Sequence, residues 1–432
     1  MFRNKRVVVT GVGPLCSIGQ GKDEIFNSLV NSKTNVELEE GYIGDEYMCS
    51  FYKHKIREFD INNFGIDEQR LNEIKGWKEG EEITDLYFLL ASIKLALDDS
   101  KVDCKDGKDI GLVVTHENPG LEQFISKVID NSFEITRANN KMTKQYFFNT
   151  IYEICDRSAY DLQTFMFLFH SAKTFNLHGF SLFVNNACAS GLFAIETAAQ
   201  TIKSGKNKIV IVAGSDYPGI YKHIWLDRLG LCTKDKKIKP FAKDRDGFIF
   251  GDGGAAMVIE DYDHALARNA HIYSEYLGGG FALEGWKVTL PAVGDSFYRN
   301  AILESLKESQ VMPEDIDVIN AHGAGTGIID QYEARAITDI FGENFERPFI
   351  TTLKPYIGHN LGSCALLEIV LQLIALEKDF VPPVLNCDET DPKLKIKVLK
   401  KGIYSKGIKT ILKIACGFGG YDGAVVFRRG IV

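Results

Sequence analysis

One stretch limits what this chain can fold into. Residues 180–184 are apolar and partly β-branched, the pattern of a buried strand. They run into Asn185-Asn186-Ala187-Cys188-Ala189-Ser190-Gly191, a turn of small residues. From 192 to 202 apolar residues recur on a helical period until Ser204-Gly205 stops it. Strand, tight turn and helix in that order are a building block of α/β folds, and the block repeats along the chain. Further strands are predicted over 7–10, 110–115, 208–214, 255–260, 317–320, 349–352, 410–415 and 423–427. Helices are predicted among them over 22–30, 83–98, 121–130, 146–155, 165–174, 296–309, 332–341 and 362–376. Residues 31–80 show no clear period and read as a long loop region with short elements. Two halves of similar order, each opening on a strand and a glycine turn, point to an internal duplication.

Length suggests two or three domains, and 45% apolar with 25% charged residues is ordinary for a soluble globular protein. The formal charge of −8 argues against a general nucleic-acid binder. Nine dispersed cysteines form no CxxC pair and no His/Cys cluster at zinc spacing, which fits a reducing compartment. No run of 18 apolar residues and no cleavable leader are present, so a cytoplasmic protein without a membrane span is expected. Residues 6–13 give a strand and a glycine turn like a dinucleotide fingerprint. They lack the G-x-G-x-x-G spacing, and Pro14 stands where the helix should begin.

Cys188 falls at or beside the N-terminus of the helix over 192–202, where free N–H groups and the dipole favour an anion. A thiol there ionises more readily, which suits a nucleophile. A small buried cysteine in a tight bend fits the same stretch. His322, in Asn320-Ala321-His322-Gly323, ends a predicted strand, and His359, after Gly358, precedes a predicted helix. Three such turns, each presenting Cys or His, suggest one site, because α/β sheets place ligands at strand C-termini.

Motifs in matching order and spacing run from Arg6-to-Gly13 through Ala187-Cys188-Ala189-Ser190-Gly191 and Pro240-Phe241 with Asp244-Arg245-Asp246-Gly247-Phe248. They continue with His322-Gly323, Lys354 with Gly358-His359, and Gly417-Phe418-Gly419-Gly420. With these the chain resembles the elongating β-ketoacyl-(acyl carrier protein) synthases, condensing enzymes of the thiolase fold. The resemblance implies an α/β fold of two duplicated βα halves, 1–260 and 261–432, in a layered αβαβα core. It implies that Cys188 accepts an acyl chain, and that His322 and His359 assist decarboxylation of a malonyl thioester and hold the enolate oxygen. Lys354, paired with Glu333, would orient the histidines, and Asp330 would help fix that loop. Backbone N–H groups of Cys188 and Phe418 would form the oxyanion hole, with Phe418 as gate and Gly419 beside it at the substrate. Thr326 keeps one of two hydroxyls that hold the pantetheine arm; Ala324 replaces the other. No cofactor or metal is implied.

The implied partners are an acyl carrier protein and a second subunit, as a homodimer or a heterodimer with a chain-length-factor-like chain. Lys234, Lys236, Lys237 and Lys239, or the seven lysines over 393–409, are candidates for the carrier's dock. Cys416 stands where an aromatic residue is common, and Thr115-His116-Glu117-Asn118-Pro119 replaces a Gly/Ser-rich loop. A thiolase-type acyltransferase using Cys416 as base is the nearest alternative, and the Lys354/His359 pairing argues against it. A non-catalytic chain-length-factor subunit would generally lack the cysteine.

Overall fold

The computed structural model describes residues 5–43, 46–78, 83–137, 144–158, 160 and 162–430. Ten strands carry the fold. The first half holds β1 (Val7–Cys16), β2 (Ile110–Thr115), β3 (Ser181–Val184), β4 (Ile209–Asp216) and β5 (Gly253–Asp261). The second holds β6 (Ser274–Leu283), β7 (Val318–Asn320), β8 (Phe349–Thr351), β9 (Thr410–Gly417) and β10 (Tyr421–Arg429). Their order is β8-β7-β9-β10-β6-β1-β5-β4-β2-β3, so the two halves repeat one order outward from the β1–β6 junction. In each half one strand lies parallel to two neighbours, β2 to β3 and β4, and β7 to β8 and β9. Parallel neighbours need crossovers, which helices supply. These are α1 (Thr84–Ser100), α2 (Phe165–Phe175) and α3 (Ser190–Lys203), then α4 (Phe297–Ser309), α5 (Gly327–Phe341) and α6 (Cys364–Glu377).

The period of two along each strand divides its side chains between two cores. On β4, Val210 and Val212 join the cluster around α3 and α6, while Ile209, Ile211 and Ala213 join the one around α1. On β9, Ile411 and Ala415 face α3 and α6, while Leu412 and Ile414 face α4 and α5. The layers therefore run α1, first half-sheet, α3 with α6, second half-sheet, α4 with α5. Helix α6 lies between both half-sheets and is buried from Cys364 to Leu376, which is why its sequence is apolar on every side apart from Glu368 and Gln372. No helix among the described residues is long and apolar enough to cross a membrane.

Three sequence expectations change. The strand at 181–184 is not buried: it is the edge of the sheet, with Ser181 and Leu182 exposed. Residues 31–80 are not mainly loop, since Val36–Ile43 and Glu46–His54 pair antiparallel and Glu68–Lys78 is a helix. That hairpin carries Glu37 and Glu39 paired to Arg57 and Lys55, and this solvated charge hid its strand pattern. Strand β6 was not foreseen, because Gly278-Gly279-Gly280 interrupts the apolar run. A Cβ at Gly280 would collide with the Ala301 carbonyl of α4, so the glycines exist to let that helix lie close.

Candidate active site

The turn between β3 and α3 is an elbow. Ala187 has φ +49°, a left-handed conformation that costs a non-glycine residue about 1 kcal/mol or more. Ser190 holds it: its hydroxyl accepts from the Asn186 N–H at 2.7 Å and donates to the Ala187 carbonyl at 2.6 Å. Cys188 follows, two residues before α3 begins, and is only half-buried. Gly417 at the end of β9 crosses directly beside it; a Cβ there would stand 3.0 Å from both the Cys188 nitrogen and the Asn186 oxygen. The expected depression of the thiol pKa is absent. Burial, then the charge of Glu117, pushes the Cys188 thiol up, and Lys354 and Lys222 only partly oppose them. Cys188 therefore rests as a thiol and must lose its proton during attack.

His322 and His359 enter the same cleft, with ring centroids 5.7 Å apart. Their tautomers follow from what faces Nδ1. The Leu361 N–H donates to His359 Nδ1 at 3.1 Å, so that nitrogen is an acceptor and the proton sits on Nε2. Lys354 Nζ, a donor only, lies 3.4 Å from His322 Nδ1 and donates to the His322 carbonyl at 2.7 Å, which sets the same tautomer. Burial, then Lys354, pushes both imidazoles well below the ordinary histidine value, so both are neutral N–H donors at neutral pH. Phe248 packs on His359 at 4.9 Å, and the Gly247 N–H donates to the Gly325 carbonyl at 2.9 Å, so one loop buttresses both histidine turns.

Lys354 is not paired with Glu333. Its carboxylate partner is Glu368 of α6, at 2.9 Å, and the other oxygen of Glu368 takes Lys413 at 2.6 Å, all three fully buried. Glu333 instead accepts the backbone N–H groups of His322 at 2.5 Å and Gly323 at 2.8 Å. Burial raises Glu333 to about 7 despite those donors. Asp330 accepts from Phe241 N at 2.7 Å and Gly325 N at 3.0 Å; burial raises it to about 6. Glu368 and Lys413 were missed, although the sequence flags both. Each is a lone charge inside an apolar run, and such a charge is buried only when paired.

The cleft, about 650 Å³ and open to solvent, is lined by Cys188, both histidines, Ala324, Cys416 and Phe418. Gly417 and Gly420 line it as well, while Gly419 and Thr326 do not. Thr326 is buried, and its Oγ1 makes no hydrogen bond. Phe418 is half-buried and stacks edge-on to Trp225 at 6.0 Å.

An elbow cysteine beside two neutral imidazole donors, on a duplicated five-layer α/β core, fits an acyltransferase of the thiolase fold. The family models agree. "Beta-ketoacyl synthase, N-terminal domain" matches residues 4–265 and "Beta-ketoacyl synthase, C-terminal domain" matches 273–388. The chain belongs to the β-ketoacyl synthase family of condensing enzymes. It is 26% identical to a 3-oxoacyl-[acyl-carrier-protein] synthase 2 of Coxiella burnetii, over 99% of each chain. It is 31% identical to an actinorhodin polyketide putative beta-ketoacyl synthase 1 of Streptomyces coelicolor, over 57% of this chain and 54% of that one. Among solved structures, the ishigamide ketosynthase/chain length factor superposes with TM-score 0.83 at 23% identity, covering 99% of this chain and 100% of that one. A type II polyketide ketosynthase bound to its acyl-carrier protein gives TM-score 0.78 at 25% identity, with the same coverage.

Proposed function

We propose that Cys188 carries an acyl group as a thioester and that the enzyme condenses it with a malonyl unit on an acyl carrier protein. The observation that carries this reading is the pair of neutral imidazoles, each with its Nε2 proton available to the Cys188 cleft. Loss of CO₂ from the malonyl thioester leaves an enolate whose oxygen gains charge, and two preorganised N–H donors stabilise that charge. The enolate carbon attacks the acyl carbonyl, the Cys188 sulfur leaves, and the β-ketoacyl product stays on the carrier. Gly417 lets the backbone N–H groups of Cys188 and Phe418 come together as an oxyanion hole for both transfers. Lys354 acts as a positioning residue, through His322, and Phe418 as the gate. Thr326, whose Oγ1 has no partner, and Gly419 are assigned to the pantetheine arm.

A thiolase-type reaction is disfavoured by the pair of neutral imidazoles with Lys354 beside His322. The exposed edge of β3, with Phe180 and Leu182 beside it, suits a second subunit, either a second copy or a chain-length-factor-like chain. We assign the duplication to units 1–260 and 261–432, and a cytoplasmic location fits nine unpaired cysteines. The test is intact mass after incubation with acyl-carrier thioesters, with CO₂ release from malonyl-carrier protein followed in parallel. Cys188→Ala abolishes the mass gain; acyl transfer surviving in that variant would overturn the assignment.

A further inference from the structure

The wall of the cleft is not wholly apolar. Glu117 and Leu361 line it, and both also line a second cavity of about 400 Å³ with His116, Asp216 and Lys222. Glu117 is pinned through its backbone: Asn185, on the Cys188 elbow, donates to its carbonyl at 2.6 Å, and its N–H donates to Asp216 at 3.2 Å. Lys222 takes one carboxylate oxygen at 2.9 Å. The other, Oε2, is buried and makes no hydrogen bond. His116 is 4% exposed and gives Nε2 to Asp85 at 3.0 Å, while its Nδ1 also makes no hydrogen bond. The Glu117 oxygen is thus a buried acceptor without a donor on a residue shared by both cavities, while His116, in the second cavity only, turns Nδ1 toward the Asp216 carboxylate at 3.7 Å.

A buried acceptor left without a donor is costly, and an apolar chain pushed against it would remove any water that serves it. A ligand hydroxyl would satisfy it. Lys222 already balances the Glu117 charge, so a neutral donor suits the site better than a cation. Glu117 and Cys188 line the same cleft, and the Glu117 charge acts on the Cys188 thiol.

We propose that Glu117, with Lys222 and His116, forms a polar end to the acyl cavity that selects an acyl group bearing a hydroxyl at its far end. This rests on Cys188 being the loaded residue. Glu117 is then a specificity residue: its Oε2 accepts the hydroxyl of the chain held on Cys188, and sites built to pair a substrate hydroxyl discriminate strongly against analogues that lack it.

The test uses small thioesters in length-matched pairs, straight acyl chains with and without a terminal hydroxyl, across a ladder of lengths. Loading of Cys188 is read by intact mass. At the length that reaches Glu117, the hydroxylated chain loads faster by ~10–100-fold, and Glu117→Leu removes or reverses that preference. Equal loading within every pair by the unmodified enzyme would overturn the proposal, as would a preference that survives in Glu117→Leu. Binding of matched acyl-pantetheine pairs to Cys188→Ala, read by thermal shift, asks the same question without acylation. Absence of loading by any thioester, with the hydroxyl preference in binding intact, would instead break the nucleophile reading and leave the polar end standing.

Discussion

Glu368 bonds both buried lysines beneath the histidines, and Glu368→Gln would leave Lys354 and Lys413 facing each other without it. Removing one partner of a buried ion pair costs about 3–5 kcal/mol, because the charge left behind keeps its desolvation penalty. An unfolding entropy of about 2.1 cal/mol/K per residue amounts to ~0.9 kcal/mol/K for this chain. The loss then appears as a fall in Tm of roughly 3–5 °C. The pH dependence is the sharper signature. Burial already lowers the Lys413 pKa, and without Glu368 it falls further. A lysine whose folded pKa lies below its unfolded value binds fewer protons in the native state, so stability rises with pH across that window. The deficit of Glu368→Gln is therefore larger at pH 6.5 than at pH 9.5. Circular-dichroism melts of both proteins at the two pH values, at one protein concentration, measure it. A drop under about 1 °C, or one of equal size at both pH values, would refute the network as described.

Three further outcomes are expected. His322→Ala and His359→Ala each keep measurable Cys188 acylation by intact mass while losing ~10²–10³ in condensation rate; near-normal condensation in either removes that residue from the mechanism. Both histidine pKa values lie well below 6.5, so no histidine-type acid limb centred near that pH appears in kcat/KM for condensation; one that disappears in either histidine variant would show that residue charged at neutral pH. Turnover with carrier-bound substrate weakens with salt more than turnover of a small thioester. Lys236→Glu with Lys237→Glu reduces only the former, since Lys234 and Lys239 are tied to Asp227 and Asp235 and are less available.

Most strands and helices, and the turns that carry Cys188, His322 and His359, are legible in local pattern: periodicity, turns of small residues, and glycines beside a polar side chain. The lone charges at Glu368 and Lys413 inside apolar runs are legible in the same way. Pairings between distant segments are not, because they depend on the fold. Lys354 could find Glu333 or Glu368 on equal terms of sequence, and the choice was made by α6 lying between the half-sheets, which brings Glu368 under His322. The exposure of β3 depends on which strand ends the sheet, a fact of topology that its apolar residues do not record. The helix terminus at Cys188 is legible in sequence, but the burial of its thiol and the charge of Glu117, 71 residues away in sequence, both of which push the thiol pKa up, are not. Local pattern is set by neighbours along the chain; charge and solvation are set by neighbours in space, and only the fold supplies those.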